Sequence, residues 1–121
     1  MYMTTSPITI KHGLVTIRPT ANGVWLTQSQ IADLFGVFSA AVSTNIRVIL
    51  KSGVLYEDRV VRRTRGRNGN IVERFSFEMI TALAFRLKSE NAEVFRRWII
   101  ERATTLAIVW KVPTSKDRML N

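Results

Sequence analysis

Arginine is concentrated in one short stretch of this sequence, between positions 59 and 74. The stretch contains one acidic residue, Glu73, and six arginines: Arg59, Arg62, Arg63, Arg65, Arg67 and Arg74. A guanidinium is planar and permanently charged, and it can donate two parallel hydrogen bonds to phosphate or carboxylate oxygens. The stretch therefore indicates a surface that binds an oxyanion. The alternative is an exposed hairpin kept soluble by its charge.

The charge of the whole chain points in the same direction. Among 121 residues there are 18 Lys and Arg against 9 Asp and Glu, a net charge of +9, and the pI is near 11.1. Such a balance in a small domain favours a polyanionic partner, first a nucleic acid and second an acidic membrane surface. A basic surface that serves solubility alone is the simpler alternative.

Composition also excludes several kinds of site. The chain has no Cys and one His, His12, which excludes disulfides, thiolate chemistry, Cys-based zinc or iron–sulfur sites and a zinc-binding HExxH motif. Asp33, Glu73 and Glu78 show no spacing to a nucleophile or a metal-ligand motif. We therefore expect no enzyme, no metal and no cofactor. The longest apolar run, 106–110, is far too short for a membrane span, and a reduced, cytoplasmic setting is expected.

Two short helices joined by a tight turn precede the basic stretch. Thr27 is the expected N-cap of the first helix, and Gln30 completes a capping box. Gly36 ends that helix, because glycine tolerates the left-handed conformation that the turn 36–38 needs. Ser39 is the expected N-cap of the second helix, which runs to about residue 52. This pattern predicts a helix-turn-helix over about 27–52, although an αα-hairpin inside any core has similar features.

The second helix has one apolar side and one side of small polar and basic residues. Two candidates for contact with a nucleic acid lie at the start of the first helix, Thr27 and Gln28. The other candidates lie on the second helix: Ser39, Ala40, Ser43, Thr44, Arg47 and Lys51. Serine and threonine can bond to several bases, and alanine can touch a thymine methyl group, so we expect modest discrimination. Arg47 is the strongest single candidate, with a solvated arginine as the alternative.

The basic stretch itself has the alternation of two strands, 59–65 and 71–75, around a turn at 66–70. A hairpin over about 58–76 that directly follows a helix-turn-helix is typical of the wing of a winged helix. The wing candidates are Arg62, Arg63, Arg65, Arg67 and Asn68. Its tip would lie along the DNA backbone or in the minor groove, where arginine is favoured.

The remaining segments complete an α+β domain. An N-terminal hairpin is predicted over 8–18 with a turn at His12-Gly13, and helices are predicted after Ser76, to about residue 87, and after Ser89, to Trp110. Four phenylalanines are expected in the core: Phe75, Phe77, Phe85 and Phe95. The predicted fold is a single winged helix-turn-helix domain over 1–112, with an N-terminal β-hairpin, two C-terminal helices and a flexible tail over 113–121.

Two resemblances to known families extend this interpretation. The segment from Gln28 to Arg47, with its Gln start, Ala32 and the Gly36-Val37 turn, resembles the helix-turn-helix of phage Cro and repressor proteins. Over about residues 14–103 the chain is similar to RhuM-type virulence-associated proteins. That similarity is carried by Val24-Trp25-Leu26-Thr27-Gln28, Leu34-Phe35-Gly36, the basic hairpin, Phe85-Arg86-Leu87-Lys88-Ser89 and Phe95-Arg96-Arg97-Trp98.

The RhuM-type resemblance implies a DNA-binding protein of a bacterial mobile element, although the molecular function of that family is poorly defined. Many of its members carry a further C-terminal domain. This chain departs from the pattern at Ser39, Ala40 and Ala41, where relatives often have Arg, Gln or Asn. The departure puts strong base discrimination in doubt, because those residues make the bidentate base contacts.

The expected function is duplex-DNA binding by a transcriptional regulator or a DNA-targeting module. The alternative is a protein-interaction or adaptor module of a virulence or toxin-like system, whose basic hairpin meets an acidic protein. A homodimer is expected from the apolar end of the last helix, around Leu106 and Trp110, and a two-fold dimer would suit a palindromic site.

Overall fold

The structure is a computed structural model that describes the backbone of residues 6–110 and the side chains of residues 6–105. Ten elements follow one another along the chain: β1 (Ile8–Lys11), β2 (Leu14–Ile17), β3 (Trp25–Thr27), α1 (Gln28–Phe35), α2 (Ser39–Ser52), α3 (Glu57–Val60), β4 (Val61–Arg65), β5 (Ile71–Ser76), α4 (Phe77–Ala84) and α5 (Glu90–Trp110). The expected α+β class is confirmed. The predicted tail over 113–121 and the side chains from Leu106 to Trp110 lie outside the described residues.

The N-terminal hairpin forms as predicted. β1 and β2 pair antiparallel from Ile8–Ile17 to Lys11–Leu14. His12 and Gly13 between them both have positive φ, 53° and 74°, which is the requirement of a two-residue type I′ turn. Ile8 from this hairpin is buried in the core.

The start and end of α1 are set by local chemistry. The Thr27 side chain accepts a hydrogen bond from the Gln30 backbone N–H at 3.1 Å, and the Gln30 side chain accepts one from the Thr27 N–H at 2.9 Å. This reciprocal pair is the predicted capping box. Gly36 ends the helix with φ 65° and ψ 40°, a left-handed conformation that costs other residues about 1 kcal/mol or more.

α2 begins one residue earlier than its predicted cap implies. Ser39 is the first helical residue, and Phe38 is the N-cap, without a side-chain hydrogen bond to the helix. The prediction of Ser39 as the N-cap was wrong, because its hydroxyl accepts a hydrogen bond from the Gln28 side chain instead. The end at Gly53, with φ 81°, agrees with the predicted stop near residue 52.

A three-stranded antiparallel sheet follows, in the order β3-β5-β4. β4 and β5 pair from Val61–Phe75 to Arg65–Ile71, and β3 pairs with the other edge of β5. The prediction of strand from residue 59 was wrong at its start, because 57–60 form the single helical turn α3. Val60 is buried in that turn, so its apolar character reflects core packing rather than a strand.

The last two helices close the core. The Ser76 side chain caps α4 by accepting from the Met79 N–H at 3.3 Å, and the Ser89 side chain caps α5 by accepting from the Ala92 N–H at 3.0 Å. Arg96 donates to the carbonyls of Ala84 and Leu87 at 2.6 and 3.0 Å. It therefore satisfies backbone acceptors where α4 ends.

The centre of the core is aromatic and aliphatic. Phe35 of α1 and Phe95 of α5 meet edge to face with ring centroids 5.6 Å apart, and Phe77 packs on Phe95 at 6.0 Å. Phe75 is buried, but Phe85 is 50% exposed, so its assignment to the core was wrong. α4 ends at Ala84, and the change of chain direction leaves Phe85 on the surface.

No single helix within residues 6–110 is both long enough and apolar enough to cross a bilayer. α1 and α2 satisfy that test by length and composition only when they are taken together, and the chain bends by 112° between them.

Candidate nucleic-acid interface

α1 packs against α2 across a short turn. The helix axes are bent by 112° across the turn 36–38, within the range of about 90–120° found in helix-turn-helix units. Ala32 is buried, with 6% of its surface exposed. Its small side chain suits a position where two helices cross closely. The Val37 N–H donates to the Ala32 carbonyl at 3.0 Å, so the turn is held to the end of α1.

α2 divides into a buried side and an open side. Val42, Ile46 and Ile49 are buried in the core. Among the predicted contact residues, Ser43 is half-buried, and the others on this helix are exposed: Ser39, Ala40, Thr44, Arg47 and Lys51. Phe38, directly before the helix, is 85% exposed. The open side therefore offers small groups near the N-terminus of α2 and two cations further along.

Two of the predicted contact residues instead join α1 to α2. The Gln28 side-chain amide donates to the Ser39 hydroxyl at 2.7 Å and to the Ser39 carbonyl at 3.1 Å. Thr27 uses its hydroxyl in the capping box. The Gln28–Ser39 bonds fix the relative position of the two helix starts, and the Thr27 bond belongs to α1 alone. Thr27 and Gln28 thus have structural partners in addition to any external contact.

Sequence reasoning missed a support on the other flank of α2. Asn45 donates to the Ala41 carbonyl at 2.8 Å within α2, and its side-chain oxygen accepts from Arg86 Nε at 2.9 Å. Arg86 follows α4, forty-one positions away along the chain. A lone Asn on a helix carries no signal for such a long-range partner.

β4, the loop 66–70 and β5 form what we call the basic hairpin, and its two faces differ in charge. Successive side chains of a strand alternate between the faces. Val61, Arg63 and Arg65 share the face that continues the core surface, here called the inner face. Arg62 and Thr64 lie on the outer face, with Arg74 of β5.

On the inner face, Arg63 is held between two carboxylates. Its Nη2 lies 2.7 Å from Glu57 Oε2 and 2.9 Å from Glu73 Oε2. The hydrogen bond with Glu57 and the charge of Glu73 raise the pKa of the Arg63 guanidinium above its usual value. The charge of Arg63 is therefore balanced locally by two carboxylates. Glu57 comes from α3, the helical turn that sequence reasoning read in part as strand.

On the outer face, Arg62 lies directly opposite Arg74. The Arg62 guanidinium stacks over the Trp25 ring, 4.0 Å from its centroid. Arg74 Nη1 donates to the Thr64 hydroxyl at 3.3 Å. Sequence reasoning named Arg62 as a wing contact but did not separate it from Arg63, because the pairing register that sorts the faces was not known.

The loop at the tip of the hairpin is shaped by its own hydrogen bonds. Asn68 accepts from the Asn70 N–H at 3.0 Å, and Arg65 donates to the Gly69 carbonyl at 2.9 Å. Gly69 has φ 89°, which few other residues adopt. Arg67 is exposed at this tip. Asn68 therefore shapes the turn, while Arg67 projects a charge from it.

A groove of about 210 Å³ separates α2 from the inner face of the basic hairpin. Its polar walls are formed by Gln28, Ser43 and Arg47 on one side and by Glu57, Arg63 and Glu73 on the other. The structure thus places Arg47 and Ser43 of α2 on the same groove as the ion-paired Arg63. Arg62 and Arg74, in contrast, are on the far face of the same hairpin.

Within the described part of the chain, no three His, Asp or Glu side chains come together as a set that could hold a metal ion. Comparison of the chain with protein families, with curated proteins and with solved structures finds no match.

Proposed function

We propose that this chain is a winged helix-turn-helix protein that binds duplex DNA, and that it acts as a transcriptional regulator or a DNA-targeting module of a bacterial mobile element. α2 would enter the major groove, which is wide enough to admit a helix. The basic hairpin would hold the neighbouring backbone or minor groove. The resemblance to RhuM-type and Cro-like proteins supports this proposal at the level of sequence.

The observation that carries the proposal is the placement of two chemically different surfaces side by side. Ser43 and Arg47 of α2 lie on one groove with Arg63 and Glu73 from the inner face of the basic hairpin. Cations lie on both elements, Arg47 and Lys51 on α2 and Arg65 and Arg67 on the hairpin, and all four are exposed. A polyanion lying across the groove would contact both elements at once.

The chemistry of α2 and the placement of the aromatic side chains favour duplex DNA over single-stranded RNA as the ligand. A helix with small residues at its exposed N-terminal end can approach base edges closely, and its hydroxyls bond to bases or phosphates. Phe35, Phe77 and Phe95 pack together, and Trp25 stacks with Arg62. The exposed rings, Phe38, Tyr56 and Phe85, come from three separate segments of the chain. Stacking platforms for unpaired bases would require exposed rings in a row.

One observation favours the alternative of an adaptor module that meets an acidic protein. Arg63 already donates hydrogen bonds to two carboxylates, so the chemistry of the basic hairpin suits an acidic surface as well as a phosphate backbone. The two proposals differ in what a loss of the hairpin charges does to DNA binding.

The test is replacement of Arg62, Arg63, Arg65 and Arg67 by Ala, with duplex affinity measured by fluorescence anisotropy. We expect affinity to fall by about a hundredfold at low salt, because three of the four removed arginines, Arg62, Arg65 and Arg67, are outside the ion pairs with Glu57 and Glu73 that hold Arg63. The matched control replaces four exposed cations elsewhere, Lys11, Arg18, Lys88 and Arg97, and should lose far less. Equal losses in the two variants would leave only a general charge effect and would favour the adaptor module.

Selection from a random-duplex library tests the reading role of α2. The proposal predicts enrichment of a short, degenerate sequence, because Ser39, Ala40 and Thr44 discriminate weakly among bases. Two enriched half-sites about one helical turn apart would support the predicted homodimer. A light-scattering mass of one chain at micromolar concentration would contradict that homodimer without affecting the DNA-binding proposal.

A further inference from the structure

The outer face of the basic hairpin contains two facing cations. Arg62 of β4 and Arg74 of β5 are directly opposite in the pairing register. Side chains in such positions have Cβ atoms about 4.5–5.5 Å apart, and like charges there destabilise the strand pair. The next pair along the same two strands, on the inner face, is Arg63 with Glu73. One face is thus neutralised within the protein, and the other is not.

No carboxylate compensates this repulsion among the side chains of residues 6–105. The ion pairs found there, within 4.0 Å, join Arg63 to Glu57 and Glu73 and Arg97 to Glu93. The partners of Arg62 and Arg74 are instead uncharged: an aromatic ring and a hydroxyl. The outer face therefore keeps a net charge of two cations that an oxyanion would neutralise.

Both guanidiniums are held in place before any ligand arrives. The Trp25 indole N–H donates to the Asn22 carbonyl at 2.7 Å, which fixes the ring on which Arg62 stacks. Stacking on an aromatic face leaves the N–H groups at the edge of a guanidinium free to donate. Arg74 is restrained by its bond to Thr64. Restrained donors lose less conformational entropy on binding than free side chains do.

We propose that Arg62 and Arg74 form a phosphate-binding site on the outer face of the basic hairpin, and that its ligand is a phosphodiester group of a nucleic acid. A phosphate between the two guanidiniums accepts charge-assisted hydrogen bonds from both and removes their mutual repulsion. The site goes beyond the proposed function because it lies on the face opposite the α2 groove. The phosphodiester comes either from a flank of the duplex held by α2 or from a second duplex.

Thermal unfolding with inorganic phosphate tests the site without DNA. At constant ionic strength, with chloride as the reference, about 10 mM phosphate is expected to raise the Tm of the native chain by about 3 °C. The variant Arg62→Gln/Arg74→Gln loses this rise. The control Arg59→Gln/Lys88→Gln removes the same charge from exposed positions and is expected to keep the rise in Tm. An equal rise in all three proteins overturns the site, because phosphate also stabilises proteins by general exclusion.

A single charge reversal tests the argument from like charges. Arg74→Glu places a carboxylate opposite Arg62, so it is expected to raise the Tm in chloride and to abolish the response to phosphate. Stability and binding then change in opposite directions, which a merely structural role of Arg74 does not produce. A fall in Tm together with an unchanged phosphate response overturns the proposal.

Duplex length identifies the source of the phosphodiester. The Arg62→Gln/Arg74→Gln variant is expected to bind a duplex of about 30 base pairs roughly tenfold more weakly than the native chain, with a salt slope shallower by about 2. A smaller loss on a 12-base-pair duplex assigns the phosphate to the flank, and loss of bridging between two labelled duplexes assigns it to a second duplex. Unchanged affinity for every duplex overturns the proposal.

These outcomes are separable from those of the proposed function. The phosphate experiment does not involve α2. If Arg47→Ala/Lys51→Ala leaves DNA affinity unchanged while Arg62→Gln/Arg74→Gln abolishes the phosphate response, the role of α2 is wrong and the outer-face site stands.

Discussion

α2 and the basic hairpin present different chemistry on the two walls of one groove. On the groove, α2 contributes Ser43 and Arg47 and the hairpin contributes Arg63 and Glu73. Elsewhere on α2, hydroxyl and methyl groups are exposed on Ser39, Ala40 and Thr44. Short hydroxyls adapt to several bases, while guanidiniums grip phosphates that are the same in every sequence. In the proposed complex, affinity therefore comes mainly from the hairpin, and the limited sequence preference comes from α2.

The arginines of the hairpin are also unequal among themselves. Arg63 is bound to Glu57 and Glu73, while Arg67 is exposed at the tip. A phosphate must displace carboxylates to reach Arg63, but it meets Arg67 with nothing to displace. Counting arginines in the sequence thus overstates the number of cations that are free for a ligand.

The largest predicted effect is on salt dependence. Four exposed cations are available for the duplex held by α2: Arg47 and Lys51 on α2 and Arg65 and Arg67 on the hairpin. Their neutralisation of phosphates gives a slope of log affinity against log salt of about −3.6, or a loss of about 150-fold between 50 and 200 mM salt. Anisotropy titrations over that range check it. A flat dependence would contradict the assignment of affinity to the hairpin.

The second prediction distinguishes a base contact from a phosphate contact. Arg47→Ala is expected to weaken binding to a selected duplex by about thirtyfold, and to an unrelated duplex much less, because a base contact is worth about 1–3 kcal/mol at its own site. Parallel titrations of both duplexes measure the ratio, with Lys88→Ala as control. An equal loss of affinity for both duplexes would mean that Arg47 contacts a phosphate. Any base contacts of α2 would then come from its hydroxyl groups alone.

Loss of Arg67 should have a smaller and more uniform effect. Arg67→Ala is expected to weaken every duplex by about fivefold and to make the salt slope shallower by about 1, since one phosphate contact is removed. Arg18→Ala, an exposed cation outside the hairpin, is the control. A change in sequence preference for Arg67→Ala would mean that the hairpin tip also reads bases.

The smallest predicted effect is a gain in affinity for DNA. Glu57→Gln with Glu73→Gln releases Arg63 from its carboxylates and removes two negative charges from the groove. Affinity for all duplexes should rise by about threefold, with little change in stability, because solvent-exposed ion pairs add little to stability. The control Glu90→Gln/Glu101→Gln removes the same charge from α5. No gain over that control would show that Arg63 stays outside the interface.

Local chemistry explains which parts of this fold were predictable. The capping box of Thr27 and Gln30, the left-handed Gly36 and the positive φ at His12 and Gly13 each depend on a few neighbouring residues. Such signals are present in the sequence itself. The helix pair and both hairpins were predicted for this reason.

Features that depend on distant partners were not predictable in the same way. Ser39 resembles an N-cap, but its hydroxyl binds Gln28, and the N-cap of α2 is Phe38, which makes no side-chain hydrogen bond to the helix. Tertiary contact outweighed local propensity there. The carboxylate pair on Arg63 depends on strand register and on α3, and the outer-face pair of Arg62 and Arg74 depends on register alone.

The central claim is that α2 and the basic hairpin hold one duplex together. Backbone amide NMR shifts recorded during a titration with duplex DNA test this directly. The account predicts the largest changes in the N-terminal half of α2, residues 39–47, and at the hairpin tip, residues 65–69, saturating at the same DNA concentration. Changes confined to one of these elements, or centred on α5, would contradict it.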